Sequence, residues 1–542
     1  MRRHKYHGSG YAGTRSRMST KKYIYSGLAL LIILAAGYAG YSQLGRGAAT
    51  AGPNKIAGSH LQFDSGLSSA EKSTIAQAIS DQTMSFEGTV DVHVTTSLQK
   101  LANEPILKVY VPVMNPYTTK LKVSLAELKG ASLVVPSGTS LVIKESLQQA
   151  SGAASVAELA SATSQLTPGE IGFVPAGDLS DKFRLLSLDG SYYLDGFDSG
   201  ALFRQVKFSG ADAKPLASLQ LAKLPTKDEV LKVNMTGVTA LSRKYIMRLA
   251  SGQSPDFFSA KIAGYLKDAD IVHTSNEVSF KDNCELRDMQ FCAPASTIET
   301  LKSSGINLIE LTGNHNNDFG SDYNAATIEQ YHKLGWHTFG GGIKKAEAAK
   351  PYVSSLKGSK VAFFGYNYAD SPNGGPIATV DGAGANSFDF DRISSDIATA
   401  KSQGDYVIVD VQFWECYAYP ALHAEIPLCD QPIKDQESTF RRIIDLGADM
   451  VIGTQAHQPQ TYEIYKGKQI YYGLGNLFFD QVEWPGTERG IILTHYFYKN
   501  QLLQTKLTPT IYDTQLQVHI DTDEQANLLL NRLKTARQES GL

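Results

Sequence analysis

From Leu231 onward, short runs of β-branched and aromatic residues alternate with segments of helical periodicity. The order is LKVNMTGV, ALSRKYIMRLAS, DADIVHTS, PASTIETLKSSG, NLIELTGN, DYNAATIEQYHKLG, HTFGGG and KVAFFGYNY. After a loop it resumes with DYVIVDVQFW, KDQESTFRRIIDLG, DMVIGTQ, TYEIYKG, KQIYYGL and GIILTHYFYK, and a last helix, DEQANLLLNRLKTARQ, follows. Strands that alternate with helices pair in parallel when each crossover helix packs on a sheet face, so this order predicts a layered α/β domain with much parallel sheet. Residues 230–500 are read as that domain and 501–542 as a C-terminal strand and helix. No repeat of solenoid period appears.

Upstream, residues 59–225 mix β runs (TVDVHVTT, ILKVYVPVM, ASLVVP, EIGFVP, FRLLSL) with expected helices (SAEKSTIAQAIS, SGTSLVIKESLQQA, ASVAELASATSQL). This is read as a smaller α/β lobe, and it resembles one lobe of a periplasmic solute-binding protein. Within it, VPSGTS leads from a strand into a helix, a place where an anion can sit on backbone amides and where Ser and Thr also serve as ordinary caps. The proline and charge cluster of LPTKDEV mark the boundary between the two domains.

The first 22 residues carry seven Lys or Arg and no acid, and the 19 residues Tyr23 to Tyr41 carry no charge at all. Such a run is long enough to cross a hydrocarbon core of roughly 30 Å. A basic flank stays in the cytoplasm, which places the rest of the chain outside the cell membrane. A cleaved signal peptide is the rival reading, with Ala36 and Ala39 near its end, but the apolar run exceeds the roughly 7–15 residues of a signal core. Residues 1–22 are thus read as cytoplasmic, 23–41 as a transmembrane anchor and 42–58, rich in Gly, Ala and Ser, as a tether.

The four cysteines form two close pairs in sequence, Cys284 with Cys292 and Cys416 with Cys429. In an exported protein they read as two local disulfides, and zinc is the alternative, although none lies in a C-x-x-C pair. The formal net charge of −3 spread over 542 residues gives no global attraction for nucleic acid. A polyanion would need a local basic groove.

Chemistry concentrates in ELTGNHNNDFG, Glu310 to Gly320, which puts an amide, an imidazole and a carboxylate on the turn after an apolar strand. Asn314, His315 and Asp318 there suit a metal or phosphate site at a strand end, where crevices open in α/β folds. The plain alternative is a turn made by Gly313 and a helix cap made by Asp318. Glu277 follows the strand DIVHTSN and can project into the same crevice, and His457 follows MVIG in the same way. Gly475 and Asn476 read first as a tight turn.

Together these segments resemble the CapA family of bacterial capsule and poly-γ-glutamate synthesis proteins, with a metallophosphoesterase-like fold. The resemblance runs from about Leu231 to Asp480 and rests on GNHNNDFG (313–320), GADMVIGTQAH (447–457), the run QPQTYEIYKGKQIYYGLGNLFFD that follows it, SNE (275–277) and VQFWECYAY (411–419). Several boxes in one order are more specific than a lone motif. The resemblance implies a layered α/β/β/α domain, preceded here by the smaller lobe and an N-terminal transmembrane helix. It also implies a site with Glu277, His315 and Glu415 as catalytic groups, Glu277, His315, Asp318 and His457 as metal ligands, and Gly313, Asn314, Gln455 and Asn476 as ligand-binding residues.

Departures from the family pattern bear on chemistry. Val238 stands after Gly237 where the family carries an aspartate, the histidine expected near Gln412 or Phe413 is absent, and Thr454 and Gln455 replace two histidines. Two-metal hydrolysis needs more anionic or imidazole ligands than this chain retains, so at most one divalent ion (Mn, Zn or Mg) is expected. Three functional readings follow: a membrane-anchored component of capsule or anionic-polymer synthesis or export, working with the polymer's synthesis machinery; a metal-dependent hydrolase of a phosphoester or polymer bond; and a non-catalytic sensor of solute or polymer. Trp414, Tyr417 and Tyr419 are expected either to line a binding surface or to lie in the core.

Overall fold

Period-two alternation in the strands sorts the C-terminal part of the chain into layers. In the strand Ser359–Asn367, Val361 and Phe363 face one core while Ala362, Phe364 and Tyr366 face another. The same split separates Ile408 from Val407, Val409 and Val411 in the strand Tyr406–Cys416. The computed structural model describes residues 60–542 except 83–85, 87, 162–163, 286–288, 372–373, 417–433 and 482–483.

Two sheets meet through the shared core of Val233, Leu308, Phe363, Ile408 and Ile452. The first runs in the order His337–Phe339, Leu308–Glu310, Ile271–Asn276, Leu231–Met235, Arg489–Tyr498, Gln501–Tyr512, Val518–Ile520. Its first four strands are parallel and the last three antiparallel. The second has the order Tyr352–Leu356, Ser359–Asn367, Tyr406–Cys416, Met450–Ala456, Lys468–Tyr471, Tyr462–Tyr465, with its four central strands parallel. Helices cover both outer faces: Tyr245, Leu301, Ile328 and Tyr331 pack on Val272 and Ile309 of the first sheet, and Ile393, Ile397, Phe440 and Ile443 pack on the second. The chain is therefore a mixed α/β protein whose C-terminal part is layered helix, sheet, sheet, helix. That arrangement buries both faces of each parallel region.

Residues 61–209 build a separate sheet, ordered Leu61–Phe63, Val90–Ser97, Leu202–Ser209, Ile106–Met114, Ile171–Pro175, Ser132–Val135, Ser155–Glu158. The last strand corrects one expectation. ASVAELASATSQL was expected to be helical, yet Ser155–Glu158 pairs in parallel with Ser132–Val135 as an edge strand. Four residues at an open sheet edge gain backbone partners that outweigh a modest helical propensity. In the other direction, the helix Phe390–Ser402 lies in a stretch read as loop. Asp389 caps it by accepting from the Arg392 amide.

A buried ion pair ties this sheet together. Arg204, 1% exposed, donates from Nε to Glu71 Oε1 at 2.5 Å and from Nη2 to Glu71 Oε2 at 3.0 Å, and its remaining N–H groups reach Thr96, Ser146 and the Gly66 carbonyl. The N-terminal sheet meets the C-terminal layers through polar groups. Arg184 donates to Pro116 O, Thr505 O and Tyr462 Oη, and Asp195 accepts from Lys232, Lys506 and Tyr496.

The Cys284–Cys292 disulfide is present, with its Cα atoms 5.8 Å apart. Cys429, the Cys416 side chain and the anchor expected at 23–41 lie outside the described residues. Among the described residues no helix is long and apolar enough to cross a membrane.

Candidate functional site

Parallel strands deliver their C-terminal ends to one edge of the layers, and the sequence-predicted residues emerge there. Glu277 follows the strand Ile271–Asn276, Gly313, Asn314 and His315 follow Leu308–Glu310, and His457 follows Met450–Ala456 of the other sheet. Glu277 is 1% exposed, and its amide donates to Thr239 O at 3.1 Å. Gly313 lies hard against it. A Cβ on Gly313 would fall 2.4 Å from the Glu277 Cβ and 2.5 Å from its Cα, so only glycine lets the two turns approach.

His315 is buried, and its Nδ1 lies 2.7 Å from Asp318 Oδ2. The same carboxylate oxygen accepts the Phe291 amide at 2.7 Å. Asp318 does not cap the following helix, Ser321–Lys333, whose cap is Gly320 at φ 103°. Instead it holds the ring. A carboxylate is an acceptor only, so the neutral imidazole carries its proton on Nδ1 and its lone pair on Nε2.

His457 is arranged alike. Its Nδ1 lies 3.0 Å from Asn476 Oδ1, and Asn476 is itself fixed because its Nδ2 donates to Thr487 O at 3.0 Å. The amide oxygen accepts, which again puts the ring proton on Nδ1. Asn476 begins the strand Asn476–Phe479 and positions an imidazole, a role beyond the turn expected of it.

Two phenylalanines join the imidazoles. The His315 ring meets Phe291 edge-on at 4.4 Å, the His457 ring meets Phe479 at 4.9 Å, and the two phenyl rings are 6.1 Å apart. Over this pair lies Arg243, with Cζ 4.3 Å from the Phe291 centroid and 5.4 Å from that of Phe479. The structure thus brings His315 and His457 to one aromatic floor from different sheets.

Other members of the predicted set brace the site. Asn316 Nδ2 donates to Gly313 O at 3.2 Å and Asn317 Nδ2 to Ala383 O at 2.9 Å, so two amides of the NHNND box hold backbone. The Asn314 Oδ1 atom is inaccessible to solvent and has no hydrogen-bond partner among the described residues. Gln455 adopts φ 80° and accepts from Gln412 Nε2 at 2.7 Å. Val238 is 1% exposed and packs in the outer core, so the position where the resemblance puts a carboxylate supplies no oxygen. Trp414 is 49% exposed, while Tyr417, Tyr419 and the Glu415 side chain lie outside the described residues.

The donor set bears on metal binding. Among the described residues, no three His, Cys, Asp or Glu side chains are placed to hold a metal ion. Asp318 spends an oxygen on His315 and Phe291.

Asp480, 1% exposed, lies against the turn that carries Arg243. Its Oδ2 accepts the Lys244 amide at 2.8 Å, and burial pushes its pKa up to about 7 against the pull of that hydrogen bond and of the Arg243 charge. Behind the site, between the sheets, His273 Nε2 lies 3.4 Å from Asp410 Oδ2, both fully buried. Burial lowers the histidine to about 3 and raises the aspartate well above its usual value, so the contact joins two neutral groups rather than an ion pair.

Arg243, Phe291 and Phe479 are absent from the sequence-predicted set. Phe291 sits beside Cys292 in a loop and Phe479 within an apolar strand, and neither context signals a site. Arg243 does carry a signal, since it occupies the turn after the strand Val238–Ala240 as His315 occupies the turn after its own strand.

Residues 232–481 match the profile of the family described as bacterial capsule synthesis protein PGA_cap. The capsule biosynthesis protein CapA of Bacillus anthracis is 25% identical over 284 residues, which are 51% of this chain and 66% of that protein. The PGA biosynthesis protein CapA of Bacillus subtilis (strain 168) is 23% identical over 286 residues, 52% of this chain and 72% of that protein. Among solved structures, Haemophilus influenzae NAD nucleotidase (NadN) aligns at 9% identity and a TM-score of 0.28, covering 56% of this chain and 63% of that one, a likeness too slight to carry an argument. The family profile, the two curated relatives and the boxes around His315 and His457 agree: through residues 232–481, this chain belongs to the bacterial capsule synthesis (PGA_cap, CapA) family.

Proposed function

We propose that this chain is a membrane-anchored component of capsule assembly that holds an anionic, poly-γ-glutamate-like polymer in the crevice formed by Glu277, His315 and His457. The observation that carries this reading is the meeting of two imidazoles, one from each sheet, on the Phe291–Phe479 floor inside the family-matched region. Each ring is oriented through Nδ1. A protonated ring would hold a carboxylate by a charge-assisted hydrogen bond, and a neutral ring would accept a proton. The helix, sheet, sheet, helix layering supports a metallophosphoesterase-like fold for residues 230–500. Anchoring through 23–41, with the remainder outside the membrane, is part of the same proposal. The basic flank and the Cys284–Cys292 bridge support it.

A second reading, hydrolysis of a phosphoester or polymer bond, is favoured by the His315–Asp318 pair, because a carboxylate on Nδ1 poises an imidazole as a general base. The two readings separate in one experiment. Full-length chain in lipid nanodiscs is assayed for binding of labelled poly-γ-glutamate, for its cleavage, and for phosphate release from an aryl phosphate with and without manganese or zinc. Binding without turnover, weakened about tenfold or more by His315→Ala and His457→Ala, supports polymer holding. Turnover that His315→Ala abolishes supports the hydrolase, and absence of both binding and turnover overturns both.

A further inference from the structure

Arg243 is held in a backbone conformation that side-chain-bearing residues seldom adopt. At φ 46° and ψ −114° it lies outside the common regions, a strain that the surroundings must offset. Two contacts impose it. The strand Val238–Ala240 ends three residues earlier, with the Ser242 amide bonded to Ala240 O at 2.8 Å, and the next residue's amide, that of Lys244, is tied to the buried Asp480 carboxylate at 2.8 Å. The turn is pinned at both ends, and the arginine side chain is carried onto the phenylalanine floor.

There the guanidinium lies over both rings. Its carbon lies 4.3 Å and 5.4 Å from the centroids of Phe291 and Phe479, rings that are themselves 4% and 1% exposed. Stacking on aromatic faces leaves the in-plane N–H groups of an arginine for a planar or tetrahedral oxyanion. The buried arginines elsewhere in the protein use those groups within the chain: Arg204 on Glu71 and Arg184 on two carbonyls and Tyr462. For half-buried Arg243, no carboxylate among the described residues lies within ion-pair distance and no acceptor takes its N–H groups. The same two rings also carry His315 and His457.

We propose that Arg243 is the oxyanion-recognition residue of this crevice, clamping a carboxylate or phosphate group of the bound ligand beside His315 and His457. This deepens the polymer-holding reading and rests on it for the identity of the ligand, not for the charge of the group. A carboxylate would come from a γ-linked glutamate chain and a phosphate from a phosphoester. Arg243 orients and selects the ligand. A neutral chain of the same length would lack the group it clamps.

The test is calorimetric titration of full-length protein in nanodiscs with three probes: oligo-γ-glutamate, inorganic phosphate and oligo-γ-glutamine. The variants are Arg243→Gln and Arg243→Lys, with melting midpoints recorded in parallel. The expected result is at least a tenfold loss of oligo-γ-glutamate affinity in Arg243→Gln, a smaller loss in Arg243→Lys, and oligo-γ-glutamine binding that is weak and the same in all three proteins. Unchanged oligo-γ-glutamate affinity in Arg243→Gln overturns the proposal while leaving polymer holding intact. Should Arg243→Gln fail to fold, wild-type affinity in Arg243→Lys overturns it, because lysine keeps the charge but neither the fork nor the stack. Arg243-dependent binding of phosphate without binding of oligo-γ-glutamate supports the oxyanion role and overturns the polyglutamate reading. Wild-type protein that binds neither anion overturns both.

Discussion

Gly313 and Glu277 are in such close contact that a methyl group on the glycine would fall 2.4 Å from the glutamate Cβ. The neighbour to be displaced is backbone and Cβ rather than a flexible tip, so it cannot simply swing away. Gly313→Ala should cost about 1–3 kcal/mol of stability and weaken ligand binding at the crevice by moving Glu277. Denaturant melts and polymer titration check this together. Wild-type values in both would mean that the two turns can separate without consequence.

Asp318 orients His315 and also takes the Phe291 amide. Asp318→Asn keeps the shape but exchanges the carboxylate for a neutral amide that can turn either its oxygen or its NH2 towards Nδ1, so the hold on one tautomer of the imidazole weakens. Whatever binding or turnover depends on His315 should fall about tenfold or more, as when supporting partners of functional histidines are removed, with little change in melting temperature. NMR of the His315 ring nitrogens reads the tautomer directly.

The Cys284–Cys292 bridge closes the loop that carries Phe291, and through Phe291 it supports the floor beneath His315. Replacing both cysteines with serine should cost about 2–3 kcal/mol through the unfolded chain. The same variant should loosen His315, seen as a broadened ring resonance. Loss of stability with a sharp, unshifted His315 signal would separate the bridge from the site.

Acid and base act on this protein with opposite signs. The folded-state pKa of Asp480 is raised from 3.8 to about 7, so the folded state holds a proton that the unfolded chain releases. Its contribution is full below about pH 4, declines as pH rises, and is gone above about 7, at most about 4 kcal/mol in all. His273 and His495 are lowered to about 3, so they favour the fold above about pH 6.5 and lose that contribution as pH falls towards 3. Melts of wild type and Asp480→Asn from pH 4 to 8 isolate the carboxylate, since the histidine terms cancel in the difference. The variant should gain on wild type as pH rises through this range, and a constant difference would refute the assignment.

Arg204 of the strand Leu202–Ser209 and Glu71 of the helix Ser69–Asp81 form a bidentate pair, with the arginine 1% exposed. Arg204→Met leaves a buried carboxylate without its cation and should cost about 3–5 kcal/mol. The double variant Arg204→Met, Glu71→Gln should recover part of that loss. Equilibrium unfolding measures both.

The strand order and the positions of His315 and His457 were legible along the chain because each depends on local pattern: an apolar run, then a turn carrying polar side chains. The roles within the NHNND box were not. Asn316 and Asn317 look as functional as Asn314 in sequence, yet they spend their amides on the carbonyls of Gly313 and Ala383, a choice set by where distant backbone comes to rest. The same holds for the strand Ser155–Glu158, whose conformation was decided by an open sheet edge rather than by its own propensity.

What the amino-acid order determined alone was the alternation of elements, the charge-flanked apolar run at 23–41, the close pairing of cysteines and the family boxes, all of which are patterns within one window or a few. What only the folded chain decided was that Arg243, Phe291 and Phe479 share one floor, since residues 243, 291 and 479 come together through the stacking of strands from a common sheet and the loops between them. Local periodicity records which face a residue shows to its own sheet. It carries no record of which distant side chain meets it there.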